Sequence, residues 1–208
     1  MSPTRRDVLK TAALGSLGLA VGGERMFAQS GRPPNIVFIM ADDLGYADIP
    51  AHGGKGLAMP NLDALTRQGV RFSNGYVTSP QCSPSRCGLL TGTYNQRFGH
   101  EHNGCQRAAF DAGAKTLAEH LRPAGYATAA FGKWHLGDQP EFLPTRQGFD
   151  EWFGLPYSND MWPNHPEAKA GTYPKLPLYE NDRIIDDEIT PEKMNQLTTR
   201  YTERAVQF

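Results

Sequence analysis

The run Asn35-Ile36-Val37-Phe38-Ile39-Met40-Ala41 constrains the fold more than any other stretch of this sequence. It is nearly continuous in apolar residues, several of them β-branched, and lacks the alternation of a half-buried strand. That pattern predicts a strand covered on both faces, as in a parallel sheet. The run stops at Asp42-Asp43-Leu44-Gly45. Ligand crevices of open α/β sheets lie beyond the carboxyl ends of the strands, so two acids face the expected site. Adjacent carboxylates repel each other, and their oxygens suit a hard divalent cation, Ca²⁺ or Mg²⁺. The same pair would also serve in a solvated, Asp-rich turn.

The rest of the chain repeats this grammar. Pro60-Asn61 begins a short amphipathic segment with Leu62 and Leu65 on one face, Asn61 as its cap and Gly69 as its stop. Val70-Arg71-Phe72 and Tyr76-Val77 read as another strand, leading to Cys82-Ser83-Pro84-Ser85-Arg86. A helix over residues 85–90 places Cys82 near the positive end of a helix dipole, where a bound sulfate or phosphate is favoured. Thr116 with Glu119 forms a capping box for a helix carrying Leu117 and Leu121, which stops near Pro123-Ala124-Gly125. Tyr126 to Phe131 is a second buried strand, ending in Gly132-Lys133-Trp134-His135-Leu136-Gly137. Strand, helix and strand with polar motifs at the exits predict an α/β fold: a mostly parallel central sheet with helices on both faces. Thr190-Pro191 starts a final helix with Met194, Leu197, Tyr201, Ala205 and Phe208 on one stripe. The chain ends there without a stop signal, which reads as a truncated domain.

Cys82 by itself is open to several readings: a thiolate nucleophile beside Arg86, a metal ligand, a structural thiol, or half of a disulfide with Cys87 or Cys105. Without further context, Lys133 is equally a surface charge and His135 a satisfied core histidine. His100-Glu101-His102, flanked by Gly99 and Gly104, reads as an exposed loop or substrate rim ahead of a metal triplet.

Taken together, C-S-P-S-R followed by L-L-T-G, the opening P-N-I-V-F-I-M-A-D-D-L-G and the run G-K-W-H-L-G resemble the type I sulfatase family, within the alkaline-phosphatase-like superfamily. The later run G-F-D-E-W-F-G-L-P-Y-S-N-D is similar to the branch of arylsulfatase A and N-acetylgalactosamine-6-sulfatase. The resemblance implies that Cys82 is oxidised to formylglycine by a formylglycine-generating enzyme. It implies that Asp42 and Asp43, with the modified residue at position 82, bind Ca²⁺. Arg86 supplies a fixed positive charge, Lys133 bridges the aldehyde hydrate and the sulfate oxygens, and His135 acts as base in the elimination step. The hydrate explains why an aldehyde is made: one hydroxyl attacks sulfur and the second expels sulfate after the alcohol has left, an exit a serine ester lacks. Cys87 departs from the small residue that commonly follows the motif arginine, and Arg97 reads as structural.

The implied activity is hydrolysis of sulfate monoesters, on a small molecule or a glycan. The family completes its site with a later histidine, an Asp-Asn calcium pair and a second lysine, and no matching motif occurs here. The 208-residue segment by itself is therefore expected to be inactive. Two other readings are a phosphomonoester or phosphonate hydrolase of the same superfamily, and a degenerate module that binds sulfated glycans without turnover.

Residues 1–30 read as a leader rather than part of the fold, leaving 31–208 as the N-terminal part of a catalytic domain. Arg5-Arg6 precedes a short apolar run from Thr11 to Gly23, the pattern of a twin-arginine signal peptide. The run is too short and too interrupted by glycine for a membrane span, so the expected location is periplasmic or secreted. A net charge of −1 gives no basic patch for a nucleic-acid partner. Three cysteines form no even disulfide framework, although Cys87 and Cys105 would remain to pair in an oxidising compartment.

Overall fold

The computed structural model describes residues 33–103 and 114–208. The leader and Cys105, with its pairing, lie outside the described residues. The chain divides into two compact units, Met1–Met59 and Pro60–Phe208.

In the first unit, residues 33–41 carry no regular secondary structure and form no strand ladder. Val37 and Ile39 are 83% and 84% exposed. This corrects the expectation of a buried strand. Apolar patterning selects an extended backbone, but a strand exists only where neighbours accept its N–H and C=O groups, and no described strand pairs with this one. Beyond the Asp42-Asp43 bend come two short 3₁₀ turns, Tyr46–Asp48 and Pro50–His52. The Gly45 amide donates to Asp48 Oδ2 at 3.0 Å, and Tyr46 stacks on His52 with ring centroids 4.0 Å apart.

The second unit contains a mixed four-stranded sheet in the order β1 (Ala129–Phe131), β2 (Glu151–Gly154), β3 (Leu178–Glu180), β4 (Arg183–Asp186). Only β1 and β2 pair in parallel; β2–β3 and β3–β4 are antiparallel. Among the described residues the sheet is thus mixed where a mostly parallel one was expected. The reason is local: β3 and β4 form a hairpin across Asn181-Asp182, and Asn181 takes the left-handed conformation (φ 55°) that this residue tolerates.

Helix α1 covers Pro60–Gln68, so Asn61 lies inside it rather than at its cap, and Gly69 closes it by donating to the Leu65 carbonyl at 2.9 Å. The predicted strand at 70–77 is absent. Ser73-Asn74-Gly75 turns the chain between two pieces too short to hold a ladder, and Val70, Phe72, Tyr76 and Val77 are exposed. Helix α2 spans Cys82–Thr91 and α3 spans Leu117–Leu121. The α3 capping box forms as expected: the Glu119 amide donates to Thr116 Oγ1 at 3.2 Å and the Thr116 amide to Glu119 Oε2 at 2.7 Å. The final helix is broken in two at Asn195-Gln196, giving α4 (Pro191–Met194) and α5 (Leu197–Gln207). No described helix is long and apolar enough to cross a membrane.

Strand β2 separates two cores because successive side chains point to opposite faces. Trp152 packs with Cys87 of α2, Trp134, Leu136 and Leu143. Phe153 packs on the other side with Leu155, Leu176, Leu178, Ile189 and Leu197, with Met194 and Tyr201 of the last helices against them. Helices therefore cover both faces of this strand, and the sequence's Trp152-Phe153 pair serves packing.

Candidate active site

The C-S-P-S-R motif is the first turn of α2, three residues earlier than the sequence suggested. The first four amides of a helix have no partner within it, so Pro84, which has no N–H, fits there without loss. Cys82 is the first helical residue and is half-buried. The expected place near the helix's positive end is met. Gln81, the residue before the helix, makes no side-chain cap. Instead Asn103, twenty residues on, takes the Ser83 amide on its Oδ1 at 3.0 Å.

The second motif is held by its two glycines. Gly132 and Gly137 sit at φ 111° and 114°, a region that residues with a Cβ rarely adopt. Between them the backbone is laid along the segment after β2: the Trp134 amide donates to the Leu155 carbonyl and the His135 amide to the Pro156 carbonyl, both at 2.9 Å. His135 itself takes φ 61° and is 1% exposed. A non-glycine residue is kept in that conformation only where its surroundings over-determine it.

Two hydrogen bonds join the motifs. Ser83 Oγ donates to the His135 carbonyl at 2.6 Å, across 52 residues of sequence. Arg86 Nη1 donates to the Lys133 carbonyl at 2.5 Å, across 47. The structure thus brings Cys82, Arg86, Lys133 and His135 to one place. Lys133 Nζ donates to Ser158 Oγ at 2.9 Å, and Ser158 is 4% exposed at the end of the buried run 152–158. Asp42 and Asp43 lie exposed in the first unit, with Asp43 at φ 55°.

Cys87, one turn after Ser83, faces inward, and burial pushes its thiol up to about 11. A thiol held protonated in an apolar core is a poor nucleophile, and Cys87 is buried where Cys82 is only half-buried. His100 is half-buried, and its pKa is lowered first by burial and then by the charge of His102.

Sequence reasoning gave Ser83, Asn103 and Ser158 no part in this region, and read His100 as exposed loop or substrate rim, whereas it is half-buried against Ser83. Ser158 stands within the G-F-D-E-W-F-G-L-P-Y-S-N-D run, where nothing in the pattern gives it a role. No local pattern marks the other three, because their partners are 17 to 52 residues away.

A family model described as Sulfatase matches residues 34–208. Arylsulfatase G of Rattus norvegicus is 39% identical over 199 residues, covering 84% of this chain and 37% of that protein. Arylsulfatase A of Homo sapiens is 46% identical over 137 residues, covering 64% of this chain and 27% of that protein. Among solved structures, Ps i-CgsB in complex with k-i-k-neocarrahexaose superposes with a TM-score of 0.67 at 31% identity, over 85% of this chain and 43% of that one. The matched region spans less than half the length of each of these relatives.

Proposed function

Since the chain belongs to the sulfatase family, we propose that it carries the nucleophile-bearing part of a site that hydrolyses sulfate monoesters. The observation that carries this reading is the pair of hydrogen bonds from Ser83 and Arg86 to the carbonyls of His135 and Lys133. They hold the two motifs side by side, as a shared reaction centre needs.

Formylglycine fits position 82: the residue is half-buried rather than sealed, and it opens a helix whose N-terminus favours an anion. When present, the group supplies a geminal diol as nucleophile. Arg86 contributes a charge that stays positive at any working pH, with one guanidinium arm already fixed to the Lys133 backbone. Lys133, steadied by Ser158, would bind the sulfate oxygens. His135 would accept the proton released as sulfate is expelled. The buried run 152–158 backs the second motif, taking the Trp134 and His135 amides on its carbonyls.

The oxygen donors of Asp42 and Asp43 fit a hard cation, Ca²⁺ ahead of Mg²⁺, whose charge would offset that of the sulfate. The third ligand role, at position 82, rests on the sequence resemblance. Two side chains are far short of the six to eight oxygens that Ca²⁺ takes, so the 208-residue chain is expected to release no sulfate. In the whole enzyme we expect the larger, mostly parallel sheet predicted from sequence. The twin-arginine leader and a periplasmic or secreted location belong to the same proposal, as does modification by a formylglycine-generating enzyme. A sulfated glycan is the favoured substrate class, supported by the oligosaccharide bound to Ps i-CgsB.

The deciding experiment is the mass of the tryptic peptide Phe72–Arg86, from protein made with its native modification machinery. A mass matching thiol-to-aldehyde conversion supports the reading. An unmodified Cys82 in a host that modifies other sulfatases would leave a sulfated-glycan-binding module without turnover. An aldehyde together with phosphate-ester cleavage in the parent enzyme, and none of sulfate esters, would point to a phosphohydrolase.

A further inference from the structure

Ser83 is tied at both its amide and its hydroxyl. It is 2% exposed; its amide donates to Asn103, its hydroxyl donates to the His135 carbonyl, and the same oxygen lies 2.7 Å from His100 Nε2. A serine hydroxyl has one proton. Once that proton is given to a carbonyl, which can only accept, the oxygen can meet His100 only as an acceptor. His100 Nε2 must therefore carry a hydrogen. The backbone of His100 is fixed on both sides of its peptide. Asn95, 1% exposed, donates from Nδ2 to the His100 carbonyl at 2.7 Å, and the His100 amide donates back to the Asn95 carbonyl at 3.2 Å. Burial and the neighbouring charge of His102 favour its neutral form, which carries a single ring proton, so one tautomer is specified.

We propose that His100 is a positioning residue for His135, acting through Ser83 as an Nε2–H donor. The relay runs from the loop after α2, through the second residue of that helix, to the backbone of the expected base. It also explains how His135 is kept at φ 61°: its carbonyl is held by Ser83 and its amide by Pro156. Losing the relay would free the imidazole to move relative to position 82. The catalytic role given to His135 rests on the sulfatase reading; the relay does not, and the two fail separately.

The test is heteronuclear NMR of the imidazole nitrogens in the full 208-residue chain at neutral pH. The expected result is a protonated Nε2 and an unprotonated Nδ1 at His100. Ser83→Ala should shift both His100 and His135 signals, and Ser83→Thr, which keeps the hydroxyl, should restore them. His100→Phe should move His135 as Ser83→Ala does, whereas His100→Gln, which retains a donor, should move it less. A proton on Nδ1 with none on Nε2, or His135 signals indifferent to Ser83→Ala, would overturn the proposal. If the Ser83 variants do not fold, the wild-type tautomer decides alone. The peptide mass at Cys82 reports the sulfatase reading independently of either outcome.

Discussion

The carboxylate segment of the first unit and the cysteine segment of the second carry equally strong sequence signatures, yet they are built in opposite ways. Residues 33–43 carry no regular secondary structure and are mostly exposed, and no described strand supports them. Residues 82–87 are pinned by Asn103, His135, Lys133 and a core containing Trp134 and Trp152. A motif on a strand depends on partners that lie elsewhere in the chain. A helix satisfies most of its own backbone, and only its first turn needs help. Signature strength therefore says little about how firmly a site residue is held.

The largest test of that contrast is Trp152→Ala. Emptying the core under α2 should destabilise the fold by about 3–5 kcal/mol, read by denaturant or thermal unfolding. Val37→Ala, at a site 83% exposed, should stay within about 0.5 kcal/mol. Equal effects would break the comparison. Gly132→Ala comes next, because φ 111° disfavours any Cβ even though the nearest atoms, of the Tyr201 ring, are 3.7 Å away. We expect a loss of about 1–3 kcal/mol from backbone strain alone; a neutral result would show that the loop before Lys133 can relax. Thr116→Ala removes one half of a capping box and should lower stability by about 1 kcal/mol.

The smallest and sharpest test concerns the two thiols of one helix. In unmodified protein at pH 8, alkylation followed by peptide mapping should label Cys82 well before Cys87. With its thiol at about 11, Cys87 holds roughly one part in a thousand as thiolate at that pH. The sign of the linked stability follows. Because Cys87 ionises at its ordinary 9.0 when unfolded and at about 11 when folded, its contribution is intact below pH 9 and lost as pH rises toward 11. Early labelling of Cys87 would mean that the core beneath α2 opens.

Several elements were legible because their signals are local. The capping box at Thr116 and Glu119, the stop at Gly125 and the Thr190 cap need only a few adjacent residues. The buried strand expected over 126–131 forms only at Ala129–Phe131 and is half-buried. The misread elements failed where pairing decides. The runs at 35–41 and 70–77 have strand composition but no described ladder, while β3 and β4 were not foreseen. The helix expected over 85–90 begins instead at Cys82, with Pro84 in its first turn, where a missing N–H costs nothing.

The chemistry on offer is written in the chain before it folds: adjacent carboxylates, a cysteine beside an arginine, and a lysine and histidine between two glycines. Those identities are covalent facts, and their spacing makes the family recognisable. Folding alone settles that Ser83 reaches the His135 carbonyl, that Lys133 finds Ser158, and that His100 turns in to meet Ser83. Each of these contacts closes a loop of 17 to 52 residues. Such closure is set by how two cores pack on either side of β2, which no short window of sequence contains.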